Sequence, residues 1–188
     1  MTTADRFLDD ALANPINVAI LERLPDLGLA QPWLVAGCLY QAVWNRLSDK
    51  PAGWGIKDYD VFYWDEDTSW EAEDAAIKRA DILFADLGAE VELKNQKRVP
   101  LWFEAHFGAP YPPVSKASDG IERFLVACTC VGLTPTGDGA PELLAPYGLD
   151  DLYAGVLKIN PHNPSPHRYA EKCASYLDRW PWLTFTDL

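Results

Sequence analysis

With 188 residues, 48% hydrophobic and 23% charged, the chain is long enough to bury one substantial core and short for two ordinary domains. Lys and Arg number 16 against 28 Asp and Glu, a formal charge of −12; a broad phosphate-backbone face works by displacing counterions with Lys and Arg, so long nucleic acid is excluded as a partner. No run approaches the roughly 18 to 20 apolar residues of a spanning helix, and residues 1–6 lack the charged-then-apolar pattern of a secretion signal. The expectation is a soluble, cytoplasmic protein with no membrane partner, forming one unit over residues 1–188.

Two amphipathic helices come first, within about residues 3–25: one around Phe7, Leu8, Ala11 and Leu12, one around Val18, Ile20, Leu21 and Leu24 before Pro25. Trp33-Leu34-Val35-Ala36 reads as a strand, Gly37 as a turn, and Leu39, Val43 and Leu47 as the stripe of a helix. After the breaker-rich residues 48–55, the aromatic and β-branched run Asp58-Tyr59-Asp60-Val61-Phe62-Tyr63-Trp64 predicts a strand. Thr68 and Glu71 have capping-box spacing, and Ala76, Ile77, Ala80, Leu83, Phe84 and Leu87 predict a helix closed by Gly88. Residues 89–94 alternate, with Val91 and Leu93 on one side and Glu90, Glu92 and Lys94 on the other, which is a half-buried strand. Residues 99–103 read as a strand beside it. A short helix is predicted near residues 121–126, then strands at 128–133 and 142–145 joined as a hairpin around Thr136-Gly137-Asp138-Gly139. Residues 148–157 read as helical, and Ser165-Pro166 as the start of a last helix carrying Tyr169, Cys173, Tyr176, Leu177 and Trp180 on one face, within a C-terminal helical segment of about 148–182. The fold class is α+β.

Cys38, Cys128, Cys130 and Cys173 show no Cys-x-x-Cys spacing, and reduced thiols are the default. Cys128 and Cys130, two apart on a predicted strand, would face the same way, which admits a soft-metal site with His106, His162 or His167. The missing zinc spacing favours ordinary buried thiols.

The chemistry centres on Asp58 and Asp60. Two apart on a strand, they project from one face with Cα atoms roughly 6.5 to 7 Å apart, and two like charges on a partly buried face either raise a pKa or call for a cation. Glu92, on the later strand with a carboxylate-rich polar side, can add a third oxygen if the two strands are neighbours. Three carboxylates suit two Mg²⁺ ions about 3.5 to 4 Å apart, the clamp of in-line phosphoryl and nucleotidyl transfer. Each part also has a plain explanation: Asp-x-Asp as a solvated edge or turn cap, Glu90 and Glu92 as the wet side of a strand, Gly37 as a simple turn. Gly37 before a helix equally lets phosphate oxygens approach backbone N–H groups, and the ordered combination is more specific than any one part.

Leu34-Val-Ala-Gly-Cys-Leu-Tyr-Gln-Ala-Val-Trp-Asn45, Gly55-Ile-Lys-Asp-Tyr-Asp-Val-Phe-Tyr-Trp-Asp65, Ser69-Trp-Glu-Ala-Glu-Asp74, Val91-Glu-Leu-Lys-Asn-Gln96, His106-Phe-Gly-Ala-Pro-Tyr-Pro-Pro113 and Ala145-Pro-Tyr-Gly-Leu-Asp-Asp-Leu152 together resemble a bacterial nucleotidyltransferase-like family of the polymerase-β-like superfamily. The resemblance covers most of the chain after about residue 30 and implies a mixed β-sheet with flanking helices. It implies that Asp58 and Asp60 are the metal-binding pair, and that Glu92 is the third carboxylate, binding one metal and helping to deprotonate the attacking hydroxyl. It also implies that Gly37-Cys38 stands in place of the superfamily's Gly-Gly or Gly-Ser at the triphosphate.

Lys57 and Lys94 flank the carboxylates and are candidate phosphate contacts, Lys57 being equally suited to solvent. Asn95, Gln96 and Arg98 either contact a base or sugar or satisfy a loop backbone. His106 beside Trp102 and Phe103 reads as a packed core histidine more than as an acceptor-positioning group. Most of the eight Trp and eight Tyr are expected in the core, Trp44, Trp70 and Trp180 on helix faces, with Trp54 and Tyr111 in loops where they can line a pocket.

The expected activity is transfer of an NMP group from an NTP donor to the hydroxyl of a small-molecule or protein acceptor, with Mg²⁺ or Mn²⁺. The alternatives are a catalytically degenerate nucleotide- or partner-binding module, motivated by Cys38, and glycoside hydrolysis, for which two acids on one strand face are badly placed. The donor nucleotide, the acceptor and the oligomeric state are left open.

Overall fold

Thr2 and Asp5 cap the first helix reciprocally: Asp5 N–H donates to Thr2 Oγ1 (3.1 Å) and Thr2 N–H to Asp5 Oδ2 (2.7 Å). That starts α1 (Thr3–Leu12). Asn14 Oδ1 then accepts from Ile16 N–H, and with Pro15 in the first turn starts α2 (Pro15–Arg23). Through residues 1–137 and 139–185, which the computed structural model describes, the chain continues as β1 (Ala30–Val35), α3 (Gly37–Leu47), β2 (Asp58–Trp64), α4 (Trp70–Leu83), β3 (Glu90–Asn95) and α5 (Val99–Phe107). It ends with β4 (Gly132–Thr134), β5 (Glu142–Leu144), α6 (Asp150–Ala154), β6 (Val156–Leu157), α7 (Tyr169–Leu177) and β7 (Thr184–Phe185).

The main sheet has five strands in the order β3-β2-β1-β4-β5. Only β2 and β3 run parallel, joined through α4, and every other pair in it is antiparallel, so the sheet is mixed and the fold α+β. A two-residue parallel pair joins β6 to β7.

Period-two alternation divides the faces. Leu34 of β1, Tyr59, Val61 and Tyr63 of β2, and Leu93 of β3 enter the main core with Leu39, Val43 and Trp44 of α3 and Ala76 and Ala80 of α4. Phe7, Ala11, Ile20 and Leu21 of the first two helices are buried in the same core. The other face holds a smaller cluster, Val35, Ile121 and Cys130 with Trp33 and Phe62 packed against it. It lies beneath a 3-10 segment, Ala117–Arg123, whose Gly120 stands where a Cβ would run into the Gln96 side chain. Asp58 and Asp60 share the face of Phe62 but fall outside that cluster.

Several predicted elements differ. Residues 99–103 form no strand; they open α5, since Pro100 needs no donor in a first helical turn and would break a ladder. Near 121–126 there is the 3-10 segment, and Val126 instead forms an isolated antiparallel bridge with Ile159. Residues 127–129 form a 3-10 turn and only Gly132–Thr134 is strand. Its hairpin with β5 is present, although Asp138 at the predicted turn lies outside the described residues. Cys128 packs in the main core and Cys130 in the smaller cluster, so the two thiols do not share a face. The 148–157 helix is the shorter α6 followed by β6. Residues Pro166–Arg168 are a 3-10 turn without a Ser165 side-chain cap, and α7 starts after it. Trp180 lies past the end of α7, packed on Trp44 at 5.2 Å. The cap of α4 is Ser69, accepting from Ala72 N–H, one residue later than the Thr68 spacing suggested.

Candidate active site

The site grows from three neighbouring strands. Val35 of β1 pairs with Asp60 of β2, and Asp60 pairs with Glu92 of β3. Neighbouring strands stand about 4.8 Å apart, so the end of β1, Asp60 and Glu92 form one row across the sheet, with Asp58 one pleat away on the same face. Where the strands end their pairing, the chain turns sharply from β1 into α3. Ala36 takes φ 60° and ψ −128°, a strained conformation for a residue with a Cβ. Its N–H is held by Val131 O and its carbonyl accepts from both Leu39 and Tyr40 N–H. Gly37 and Cys38 supply the first N–H groups of α3, which a helix start leaves without partners inside the helix. Cys38 Sγ is fully buried and donates to Val35 O at 3.4 Å. Burial, with Asp60 behind it, pushes its thiol pKa well up. Its carbonyl is buried too, accepting from Asn17 Nδ2 at 2.9 Å.

Gln41 lies across this helix start; a Cβ on Gly37 would meet its Nε2 at 2.7 Å. Gln41 Oε1 accepts from Arg179 Nη1 at 2.8 Å, and Arg179 rests 4.4 Å over the Trp180 ring. From α7 comes Lys172, whose ammonium is pulled below its ordinary pKa by burial and by Arg179 and Arg168, against the attraction of Asp58 and Asp60.

Among the acids, Asp60 carries the strain. Burial first, then Asp58 and Glu92, push its pKa up to about 7, with Lys94 and Lys172 opposing. A carboxyl whose folded pKa exceeds its unfolded value contributes stability at low pH and loses it as pH rises through the folded value. Asp60 thus weakens the metal-free fold as pH climbs past 7. The donor set is all carboxylate oxygen, the chemistry hard divalent cations prefer, and the repulsion is what such a cation relieves. Because the ligand form is the anion, Mg²⁺ affinity is expected to rise about tenfold between pH 6 and pH 8; calorimetric titration at the two pH values measures it, and a flat profile would contradict the role of Asp60. Glu92 is held by Lys94 Nζ at 2.7 Å. Among the described residues, no three His, Cys, Asp or Glu side chains already converge as a metal cage.

The sequence-predicted residues divide clearly. Asp58 and Asp60 on β2 and Glu92 and Lys94 on β3 lie on one face of adjacent strands, with Glu92 opposite Asp60 and paired with Lys94, but the three acids do not converge; Lys57 is exposed just before β2 and forms no ion pair among the described residues. Asn95 and Gln96 are buried. Asn95 serves the backbone of residues 65–67 and 97, and Arg98 pairs with buried Glu73 at 2.6 Å. His106 is exposed rather than packed in the core. Trp70 is 56% exposed, under Arg98, so packing does not account for it; Trp54 meets Trp180 edge-on with Lys50 above it, and Tyr111 packs at a tilt against Phe103. Gln41, Lys172 and Arg179 were not anticipated. Of the nearby cations only Lys172 lies within α7, Arg168 standing in the 3-10 turn before it and Arg179 past its end, so no single helical period links them.

A family model described as Nucleotidyltransferase matches residues 22–185. No curated protein matches. A solved structure described as an NMR structure that reveals a CCA-adding enzyme head domain is similar at 28% identity and a TM-score of 0.77, over 98% of this chain and 96% of that one. No helix among the described residues is long and apolar enough to cross a membrane.

Proposed function

The chain belongs to the nucleotidyltransferase family, and on that premise we propose that it moves an NMP group from an NTP to an acceptor hydroxyl with Mg²⁺ or Mn²⁺ held by Asp58, Asp60 and Glu92. The observation that carries the reading is the register that sets Val35, Asp60 and Glu92 in one row beside the start of α3. The bound ions supply charge neutralisation for the triphosphate and the leaving group. The Gly37 and Cys38 N–H groups, Arg179 and Lys172 align and balance the phosphates. The acceptor oxygen forms its bond to the α-phosphorus, its proton passes to Glu92, the bond to the bridging oxygen breaks, and pyrophosphate leaves. Alignment and charge stabilisation do most of this work.

The burial of Cys38 Sγ suits a role in which only its backbone meets phosphate. The Lys94–Glu92 pair favours a second reading, a module that binds nucleotide without turnover. The test is calorimetric titration of the four NTPs with Mg²⁺, with Mn²⁺ and with EDTA. Saturable NTP binding at least tenfold weaker in EDTA is expected; equal affinity without metal would reject the assignment, and metal-dependent binding with no pyrophosphate release over a broad acceptor panel would select the non-catalytic module.

A further inference from the structure

Between α5, the end of the Ala117–Arg123 segment and α7 lies a cavity of about 500 Å³, within the usual range for small-molecule sites. Its wall carries Arg123, Arg168 and Lys172 against a single carboxylate, that of Glu171. In a chain of net charge −12 such a cluster of cations is out of character. None of the three takes part in an ion pair among the described residues, a state they share with Lys50, Lys57, Arg79, Lys116 and Arg179; what sets them apart is that they meet in one wall. Two further polar atoms on this wall lack a hydrogen-bond partner among the described residues: Arg123 Nε and the hydroxyl of Ser165, a residue only 5% exposed. Buried donors are normally satisfied, and an orphan of each kind in one cavity wall points to a ligand that completes them. Phe103 and Phe107 add apolar walls, with Arg168 held 5.3 Å over the Phe107 ring.

From this convergence we infer that the cavity binds a phosphorylated small molecule, its phosphate held by Arg123, Arg168 and Ser165 and its body resting on the phenylalanines. Its role as the acceptor rests on the proposed transferase reading. The donor's triphosphate already has the start of α3, Arg179 and the carboxylate-bound ions, so Arg123 and Arg168 are free for a second anion. Lys172 alone belongs to both places, since it lines the cavity and feels Asp58 and Asp60. Lys172 is thus the residue through which a molecule in the cavity would be set toward the acids. The acidic surface favours a compact phosphate ester over a nucleic-acid end.

The test is calorimetry on the full chain with inorganic phosphate, glucose 1-phosphate and glucose, repeated on Arg168→Gln, Ser165→Ala and Asp60→Asn. Inorganic phosphate and glucose 1-phosphate are expected to bind saturably, glucose at least tenfold more weakly. Arg168→Gln and Ser165→Ala should each weaken phosphate binding about fivefold or more while leaving Mg–NTP affinity within twofold, and Asp60→Asn should do the reverse. Absence of phosphate binding in the wild type, with Asp60-dependent NTP binding intact, would overturn the cavity assignment and spare the transferase reading. Competition between phosphate and Mg–NTP, with both weakened alike by Arg168→Gln, would give the cavity to the donor and overturn it. Tighter, Arg168-dependent binding of a short RNA with a free 3′-hydroxyl would overturn it in favour of a nucleic-acid acceptor. Phosphate binding that is lost in Arg168→Gln, in a chain that never binds Mg–NTP, would support the anion site and sink only the transferase reading.

Discussion

Asp60→Asn is expected to cut pyrophosphate release, with whichever acceptor supports the wild type, by at least about a thousandfold, or roughly 4 kcal/mol of transition-state stabilisation. Asp60 is the centre of the row, paired across the ladder with Val35 on one side and Glu92 on the other, and an amide brings no charge to a cation. The same change should leave the metal-free fold intact. At pH 8 the wild type carries an anion whose pKa is pushed up to about 7 by burial and by its acidic neighbours, a repulsion that Asn removes. The melting temperature without metal is therefore expected to hold or rise by a few degrees, and the stabilisation by Mg²⁺ to vanish. This opposite movement of stability and activity separates a site residue from a structural one. A variant that melts earlier and still releases pyrophosphate at the wild-type rate would place Asp60 in the fold rather than in the reaction.

The largest expected loss of stability is at Glu73, on α4. Its carboxylate is 6% exposed and closes two bonds, one from Arg98 Nη1 at 2.6 Å and one from Asn95 N–H at 3.0 Å. Glu73→Ala would strand a mostly buried guanidinium and a backbone donor at once. Removing one partner of such a pair typically costs about 3 to 5 kcal/mol, well above an exposed ion pair, and the shift in urea midpoint measures it. Replacing both partners, Glu73→Met with Arg98→Met, is expected to cost less than Glu73→Ala alone, because no charge is left uncompensated. A loss below about 1 kcal/mol in Glu73→Ala would show that Arg98 is satisfied by Thr68 O and Trp70. The site depends on this joint: it fixes the end of β3 three residues beyond Glu92, where Asn95 ties the strand to the segment after β2.

Local patterns carried far where one period governed a whole element. The aromatic and β-branched run Asp58-to-Trp64 predicts β2 to the residue, and its pleat puts both aspartates on one face; the apolar stripe predicts α4, which ends at Leu83, a separate 3-10 turn at Ala85–Leu87 carrying the chain to Gly88. They failed where a short apolar run suits either state. Residues 99–103 are as apolar as a strand, and only Pro100 tells against one, a signal that weighs more than composition because it removes a ladder donor. Cys38 was read through its chemistry, as a thiol set toward phosphate, whereas the strained turn at Ala36 sends it into the core.

The amino-acid order alone determined which carboxylates share a side of a strand and that a glycine turn opens a helix before them, since both follow from the periodicities of one backbone segment. Tertiary structure decided that Asp60 stands opposite Glu92 in a parallel ladder, that α7 sets Lys172 against the acids, and that Arg123, Arg168 and Ser165 meet in one wall. Such register and docking depend on the simultaneous burial of faces far apart in the chain, and no local window contains the partner that settles them.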